Sequence, residues 1–131
     1  MRLVKEIIIH CSASSITGQT AALMKEWHEE RGMRTIGYHV FIRNNGLIEQ
    51  GREWDEVGAH CYGHNQNSIG IYLAGKEIRD FTPAQFDSLR LLLKLLKKIY
   101  PAASLHGHNE FSSKKCPVFL VDEWRAAWNS Y

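Results

Sequence analysis

The chain has no long apolar run, no block of basic residues and few cysteines. Its first six residues mix both signs of charge, and no later apolar segment is long enough to span a bilayer. We therefore expect synthesis in the cytoplasm without a signal peptide and no membrane insertion. The formal charge of +2 is small and spread along the chain, which argues against a nucleic-acid partner.

The cysteines are Cys11, Cys61 and Cys116, an odd number scattered through the sequence. This is not the pattern of a disulfide framework, so at least one thiol is free or binds a metal. A chain of 131 residues with 44% hydrophobic residues can bury about two thirds of its surface without such bridges. We expect a single domain over residues 1–131.

Apolar periodicity predicts an α/β fold with a central mixed β-sheet of about five strands, flanked by three main helices. The predicted strands cover residues 4–9, 38–43, 47–49, 68–73 and 103–106. The predicted helices cover about 19–31, 83–100 and the segment after 121. Thr82-Pro83-Ala84-Gln85 is a capping box that fixes the start of the second helix.

The second helix carries more leucines than one stripe requires. Leu91, Leu92 and Leu95 widen its apolar face, which predicts burial between the sheet and another element. Three lysines near its end predict a solvated face, favourably placed at the helix C-terminus.

The run from His106 to Pro117 contains two imidazoles, two ammoniums and a thiol, which is typical of half a metal site. His10, at the end of the first apolar run, is the candidate for the other half, because successive side chains of a strand cannot both reach one ion and Cys11 fits a small buried hydrophobe. Two histidines and one cysteine form a catalytic zinc set with an open fourth position. Periodicity leaves the choice between His106 and His108 open.

Other candidates have competing structural interpretations. Tyr38 opens a predicted hairpin strand and locally resembles a sheet aromatic. His28 follows the apolar stripe of the first helix and fits a hydrogen-bonded structural histidine. Residues 53–67 form a polar loop that holds His60 and His64, and a loop of this length is a candidate wall of a cleft.

Several separated motifs decide between these interpretations. They are Ile7–Ala13, Gly37–His39, Gly46–Arg52, Gly58–His60, Asn65–Ile71 and His108–Pro117. Together they closely resemble the zinc-dependent N-acetylmuramoyl-L-alanine amidases, in the branch of small phage lysozymes of amidase type and peptidoglycan recognition proteins. The match runs in order through nearly the whole chain.

The resemblance implies one zinc ion at the sheet edge in a surface cleft, held by His10, His108 and Cys116. It assigns catalytic roles to Tyr38 and Lys114, although which of them stabilises the oxyanion and which donates a proton stays open.

The resemblance makes His60 a substrate-binding residue, and we expect the same of Asn67 in the motif Asn65–Ile71. His106 and Lys115 become bystanders. The acidic residue of the same run, Glu110, is expected to be a structural carboxylate.

The implied substrate is peptidoglycan, cut at the amide bond between N-acetylmuramic acid and L-alanine for cell lysis or wall degradation. A monomer is expected, released through a holin lesion or delivered by a secretion system. Val118 and a short connection from Gly75 to Phe81 depart from the family pattern, so substrate preference transfers less directly than reaction type.

Two rival functions remain. One is a recognition protein that binds peptidoglycan without cleaving it, against which the presence of Cys116 argues. The other is a phage regulator that binds a polymerase, for which the short segment before the first strand offers little surface.

Overall fold

The computed structural model describes residues 2–11, 18–112, 117, 119, 121 and 124. Within these residues lie five strands and two α-helices. The strands are β1 (Glu6–Cys11), β2 (Val40–Ile42), β3 (Ile48–Gln50), β4 (Ser68–Leu73) and β5 (Ser104–Gly107), and the helices are α1 (Ala21–Glu30) and α2 (Pro83–Ile99). Short 3-10 turns cover Asn65–Asn67, Ile78–Asp80 and His108–Glu110.

The five strands form one mixed sheet in the order β3-β2-β4-β1-β5. β4 pairs in parallel with β1 and β2, β5 pairs in parallel with β1, and β3 closes the predicted hairpin by pairing antiparallel with β2. β1 lies between two parallel neighbours and is buried along nearly its whole length. Burial on both faces explains its uninterrupted run of isoleucines.

The two faces of the sheet have different functions in the fold. Because side chains alternate along a strand, Ile9 and Cys11 of β1 point to one face, where they join the main hydrophobic core with the leucines of α2. His10 therefore points to the other face. There it lies in register with Tyr72 of β4, which belongs to a second cluster with Met24 of α1.

Helix α1 begins later than predicted and ends as predicted. Thr20 is its N-cap, with the side-chain hydroxyl 3.2 Å from the Leu23 nitrogen. Gln19 precedes this cap, and its side chain accepts a hydrogen bond from the Tyr72 hydroxyl at 2.9 Å. Gly32, at φ +88°, supplies the left-handed residue that ends the helix.

Helix α2 starts at the predicted capping box. The N–H of Gln85 donates to Thr82 Oγ1 at 3.1 Å, and the N–H of Thr82 donates to Gln85 Oε1 at 3.0 Å. Pro83 occupies the first helical position, where its missing N–H costs nothing. The capping sequence was therefore sufficient to place this helix start.

The predicted burial of the extra leucines of α2 is correct for Leu92 and wrong for Leu91 and Leu95. Leu91 is 68% exposed and Leu95 is 51% exposed, whereas Leu92 is buried. The sheet covers only the side of the helix that carries Leu89 and Leu96. Within the described part of the chain, no second layer covers the opposite side, so a wide apolar face did not imply a buried one.

The predicted C-terminal helix falls largely outside the described residues. Val121 and Trp124 are described, and both are helical. The Trp124 ring lies 5.7 Å from the ring of Phe86 on α2.

The described residues include no helix long and apolar enough to cross a membrane.

Candidate active site

Two of the three predicted metal ligands meet on the α1 side of the sheet. His10, 1% exposed, lies near the C-terminal end of β1. His108 is the first residue of the 3-10 turn that follows β5. Because β1 and β5 are parallel neighbours, their C-terminal ends adjoin, and the two imidazole centroids are 4.5 Å apart.

The structure separates His108 from His106, which periodicity could not do. The His106 ring is engaged locally, with Nε2 2.7 Å from Ser104 Oγ and Nδ1 2.8 Å from Glu110 Oε1. The second oxygen of Glu110 accepts the N–H of Gly107 at 2.6 Å. Glu110 is thus the expected structural carboxylate: it caps the turn that presents His108 to His10.

Tyr38 lies beside the His10 ring. It lies two residues before the start of β2 and is half-buried. Its ring centroid is 5.0 Å from that of His10 and 5.0 Å from that of Tyr72. The tyrosine therefore packs on the sheet, as its local sequence suggested, and also adjoins a predicted ligand, as the resemblance suggested.

His60 reaches the same cluster from the long loop between β3 and β4. Its Nδ1 lies 2.8 Å from His10 Nε2, and its Nε2 lies 3.1 Å from Ser68 Oγ. Burial, reinforced by the neighbouring histidines, lowers the pKa of His60 to about 2. The ring is therefore neutral at physiological pH.

His39 is a site neighbour that the sequence interpretation did not single out. Its Nδ1 accepts the N–H of Gly70 at 3.0 Å, so the proton sits on Nε2, which donates to the carbonyl of Glu56 at 2.7 Å. Burial lowers the pKa of His39 to about 4. Its position next to Tyr38 in the motif Gly37–His39 was the available signal.

His28 is confirmed as a structural histidine. The ring is buried, and Nδ1 accepts the N–H of Gly37 at 2.9 Å. This bond ties α1 to the segment that carries Tyr38. Burial lowers the pKa of His28, so the ring fills its place as a neutral acceptor.

Residues 1–119 match the family model described as N-acetylmuramoyl-L-alanine amidase. The chain belongs to the N-acetylmuramoyl-L-alanine amidase family. The endolysin of Escherichia phage T7 is 40% identical over 125 residues, which is 90% of this chain and 83% of that protein. The endolysin of Klebsiella phage KP32 is 39% identical over 126 residues, which is 91% of this chain and 83% of that protein.

Solved structures agree with the sequence match. The N-acetylmuramoyl-L-alanine amidase LysC from Clostridium intestinale has a TM-score of 0.88 at 31% identity, over 98% of this chain and 87% of that one. Drosophila PGRP-LB has a TM-score of 0.80 at 28% identity, over 89% of this chain and 76% of that one. The resemblance seen in the motifs is confirmed, and the chain is an amide-hydrolysing enzyme of this family.

Two predicted site residues of the amidase, Lys114 and Cys116, lie outside the described residues. Asn109 anchors the chain just beyond them, because its Nδ2 donates to the carbonyls of Pro117 at 2.8 Å and Phe119 at 3.2 Å. Within the described ranges, no three His, Cys, Asp or Glu side chains are grouped as a metal site.

Asn67 occupies a different environment from the histidine rings. Its side chain donates to the carbonyl of Leu3 at 3.0 Å, and its own carbonyl accepts the N–H of Lys5 at 2.7 Å. These bonds tie the start of β4 to the approach to β1. A substrate contact for Asn67 stays a prediction.

Proposed function

We propose that this amidase hydrolyses the amide bond between N-acetylmuramic acid and L-alanine in peptidoglycan and that it depends on zinc. The observation that carries the proposal is the meeting of His10 and His108, with ring centroids 4.5 Å apart. Tyr38 lies beside His10, with ring centroids 5.0 Å apart. Sequence-distant residues converge here on one side of the sheet, as a catalytic centre requires.

The donor set suits zinc. His10, His108 and Cys116 supply two imidazoles and a thiolate, which zinc prefers, and three protein ligands leave one position for water or substrate. Ligation requires neutral imidazoles and a thiolate. When bound, zinc polarises the scissile carbonyl and makes a hydrolytic water acidic enough to react near neutral pH.

Tyr38 and Lys114 supply the two remaining requirements of amide hydrolysis. Charge that develops on the carbonyl oxygen needs a fixed donor, and the leaving amine of L-alanine needs a proton. The hydroxyl of Tyr38 and the ammonium of Lys114 can each donate, so between them they meet both needs. The packing of Tyr38 against Tyr72 holds its ring in place for this role.

Lysis of bacteria is the biological use that the relatives support. Four of them are phage endolysins, and a structure of a Drosophila PGRP-LB mutant holds tracheal cytotoxin. We infer that the amidase acts on the wall after release from the cytoplasm, as a monomer. His60 and Asn67 are the proposed substrate contacts.

Digestion of purified cell walls tests the proposal. Zinc-loaded wild-type protein is expected to release stem peptides with new L-alanine amino termini, identified by mass spectrometry. His108→Gln is expected to lower this activity by about 100-fold or more, because a ligand is lost. His106→Gln is the matched control two positions away and is expected to keep nearly full activity.

Walls that bind the wild-type protein but yield no new amino termini would favour a recognition protein over an enzyme. Activity that survives complete removal of zinc by a chelator would refute the metal dependence while leaving amide hydrolysis standing. Equal losses in the His106 and His108 variants would contradict the ligand assignment.

A further inference from the structure

A chain of three polar side chains runs from His10 into the interior of the site. His10 Nε2 lies 2.8 Å from His60 Nδ1, and His60 Nε2 lies 3.1 Å from Ser68 Oγ. Ser68 is fully buried, and His60 is 9% exposed. Both nitrogens of the His60 ring are therefore engaged inside the protein.

We propose that His60 is a positioning residue that accepts the Nε2–H of His10 and thereby presents Nδ1 of His10 as the ligating nitrogen. Ser68 completes the arrangement by accepting the Nε2–H of His60. This inference rests on the proposed zinc dependence, and it gives His60 a role that acts through His10 in addition to the expected substrate contact.

The direction of the chain follows from the requirements of a ligand. If Ser68 donated to His60, then His60 Nδ1–H would donate to His10 Nε2, and the proton of the neutral His10 ring would sit on Nδ1. Neither nitrogen of His10 would then offer a lone pair to a metal. The reverse direction protonates Nε2 and leaves Nδ1 as the basic nitrogen, and a metal-ligating histidine usually donates its other ring N–H to a neighbouring acceptor in this way.

The backbone around His60 holds its ring in this position. Asn65 Oδ1 accepts the N–H groups of both His60 and Cys61 at 2.9 Å, which fixes the loop on either side. The ring lies directly over Gly70 of β4, where an added Cβ would be 2.6 Å from it. Gly58 leaves similar space, with its Cβ position 2.6 Å from the His60 ring.

These constraints favour a positioning role over a purely substrate-binding one. A substrate hydrogen bond to a ring nitrogen of His60 would displace His10 or Ser68, so the expected substrate contact of His60 is a packing contact rather than a hydrogen bond. Gly58 and Gly70 lie in contact with the His60 ring, and a side chain at either position would overlap the imidazole. A residue held this closely is suited to fixing the orientation and tautomer of its neighbour.

The tautomer of His10 in the wild-type protein is the first test. Long-range nitrogen–proton NMR spectra of the full chain, with and without zinc, report which ring nitrogen carries the proton. We expect the proton on Nε2 in the zinc-loaded protein. A proton on Nδ1 of the loaded His10 overturns the proposal without the need for any variant.

Zinc affinity, measured by competition with a chelator, is the second test. His60→Leu removes the acceptor and is expected to weaken zinc binding by about 10- to 100-fold. His60→Asn places a carboxamide oxygen near the Nδ1 position and is expected to stay within about threefold of wild type. Ser68→Ala is expected to fall between them. Thermal unfolding of each variant shows whether it is folded.

Unchanged zinc affinity in a folded His60→Leu protein, with only KM for wall fragments raised, overturns the proposal and leaves His60 as a substrate contact alone. Failure of the proposed function looks different. In that case the wild-type protein itself binds no zinc or releases no peptide, whatever the His60 variants do.

Discussion

At the scale of single residues, the site depends on glycines, whose lack of a side chain lets other groups approach closely. Gly58 and Gly70 make room for the His60 ring, and Gly37 lets the backbone before Tyr38 approach Ala59, whose carbonyl would be 2.2 Å from an added Cβ. These glycines are needed for close approach rather than for unusual backbone angles. Each lies in one of the motifs that carry the family resemblance.

Gly70→Ala tests this packing. The new methyl would overlap the His60 ring, so the ring must shift away from His10. We expect a loss of about 1–3 kcal/mol in the free energy of unfolding, measured in urea, together with weaker zinc binding.

Gly32→Ala is the control for the backbone contribution. Gly32 has φ +88° and open space around it, so its cost is about 1 kcal/mol of backbone strain without an effect on zinc. A Gly70→Ala protein that is fully stable and binds zinc normally would contradict a role for the Gly70–His60 contact in holding the ring.

At the scale of elements, parallel pairing is what brings the site together. β1 and β5 end side by side, so a residue near the end of β1 and one just after β5 become neighbours although nearly the whole chain separates them in sequence. The loop between β3 and β4 then covers them with His60. Helix α2 supports the sheet from the opposite face.

Adjacent leucines of α2 should respond differently to truncation. Leu96 is fully buried, whereas Leu95 is 51% exposed. Leu96→Ala is expected to cost about 2–5 kcal/mol of unfolding free energy, and Leu95→Ala is expected to stay within about 0.5 kcal/mol of wild type. Chemical denaturation of both variants measures the difference. Similar costs would mean that Leu95 is covered after all.

At the scale of the whole molecule, the fold gathers histidines in neutral form. Burial lowers the pKa of His28, His39 and His60 alike. Each of them is held by hydrogen bonds to the backbone or to another side chain. These imidazoles are therefore neutral near neutral pH and can serve as hydrogen-bond acceptors.

Stability should consequently fall as the solution becomes acidic. His39 has a folded pKa of about 4 against an ordinary value of 6.5, so between these values the unfolded chain binds more protons. Its contribution is fully present above pH 6.5 and is lost as the pH falls toward 4. From pH 7 to pH 5 we expect a loss of about 2 kcal/mol from His39 alone, measured by urea unfolding at both values.

His39→Asn is the matched variant for this prediction, because its amide oxygen can still accept the N–H of Gly70. It should show a weaker dependence on pH than wild type. An equally steep loss in the variant would show that His39 is not one of the groups that bind protons on unfolding.

Much of this protein is determined by local sequence. The apolar run of β1, the hairpin signals around Gly46 and the capping box at Thr82 each specify an element through short-range sterics and hydrogen bonding, and each of these elements forms. The separated motifs also sufficed to identify the family, because they occur in the family's order along nearly the whole chain. The same motifs predict His10 and His108 as partners in one site, and the two rings lie together, with centroids 4.5 Å apart.

Only the tertiary structure decided how those residues relate to one another. His106 and His108 are equivalent by periodicity, and the turn capped by Glu110 is what separates them. The bonds of His60 to His10 and Ser68 join residues far apart in the chain, and Leu91 and Leu95 stay exposed because the sheet covers one side of α2. Such facts depend on which surfaces face each other, a long-range property that periodicity does not contain.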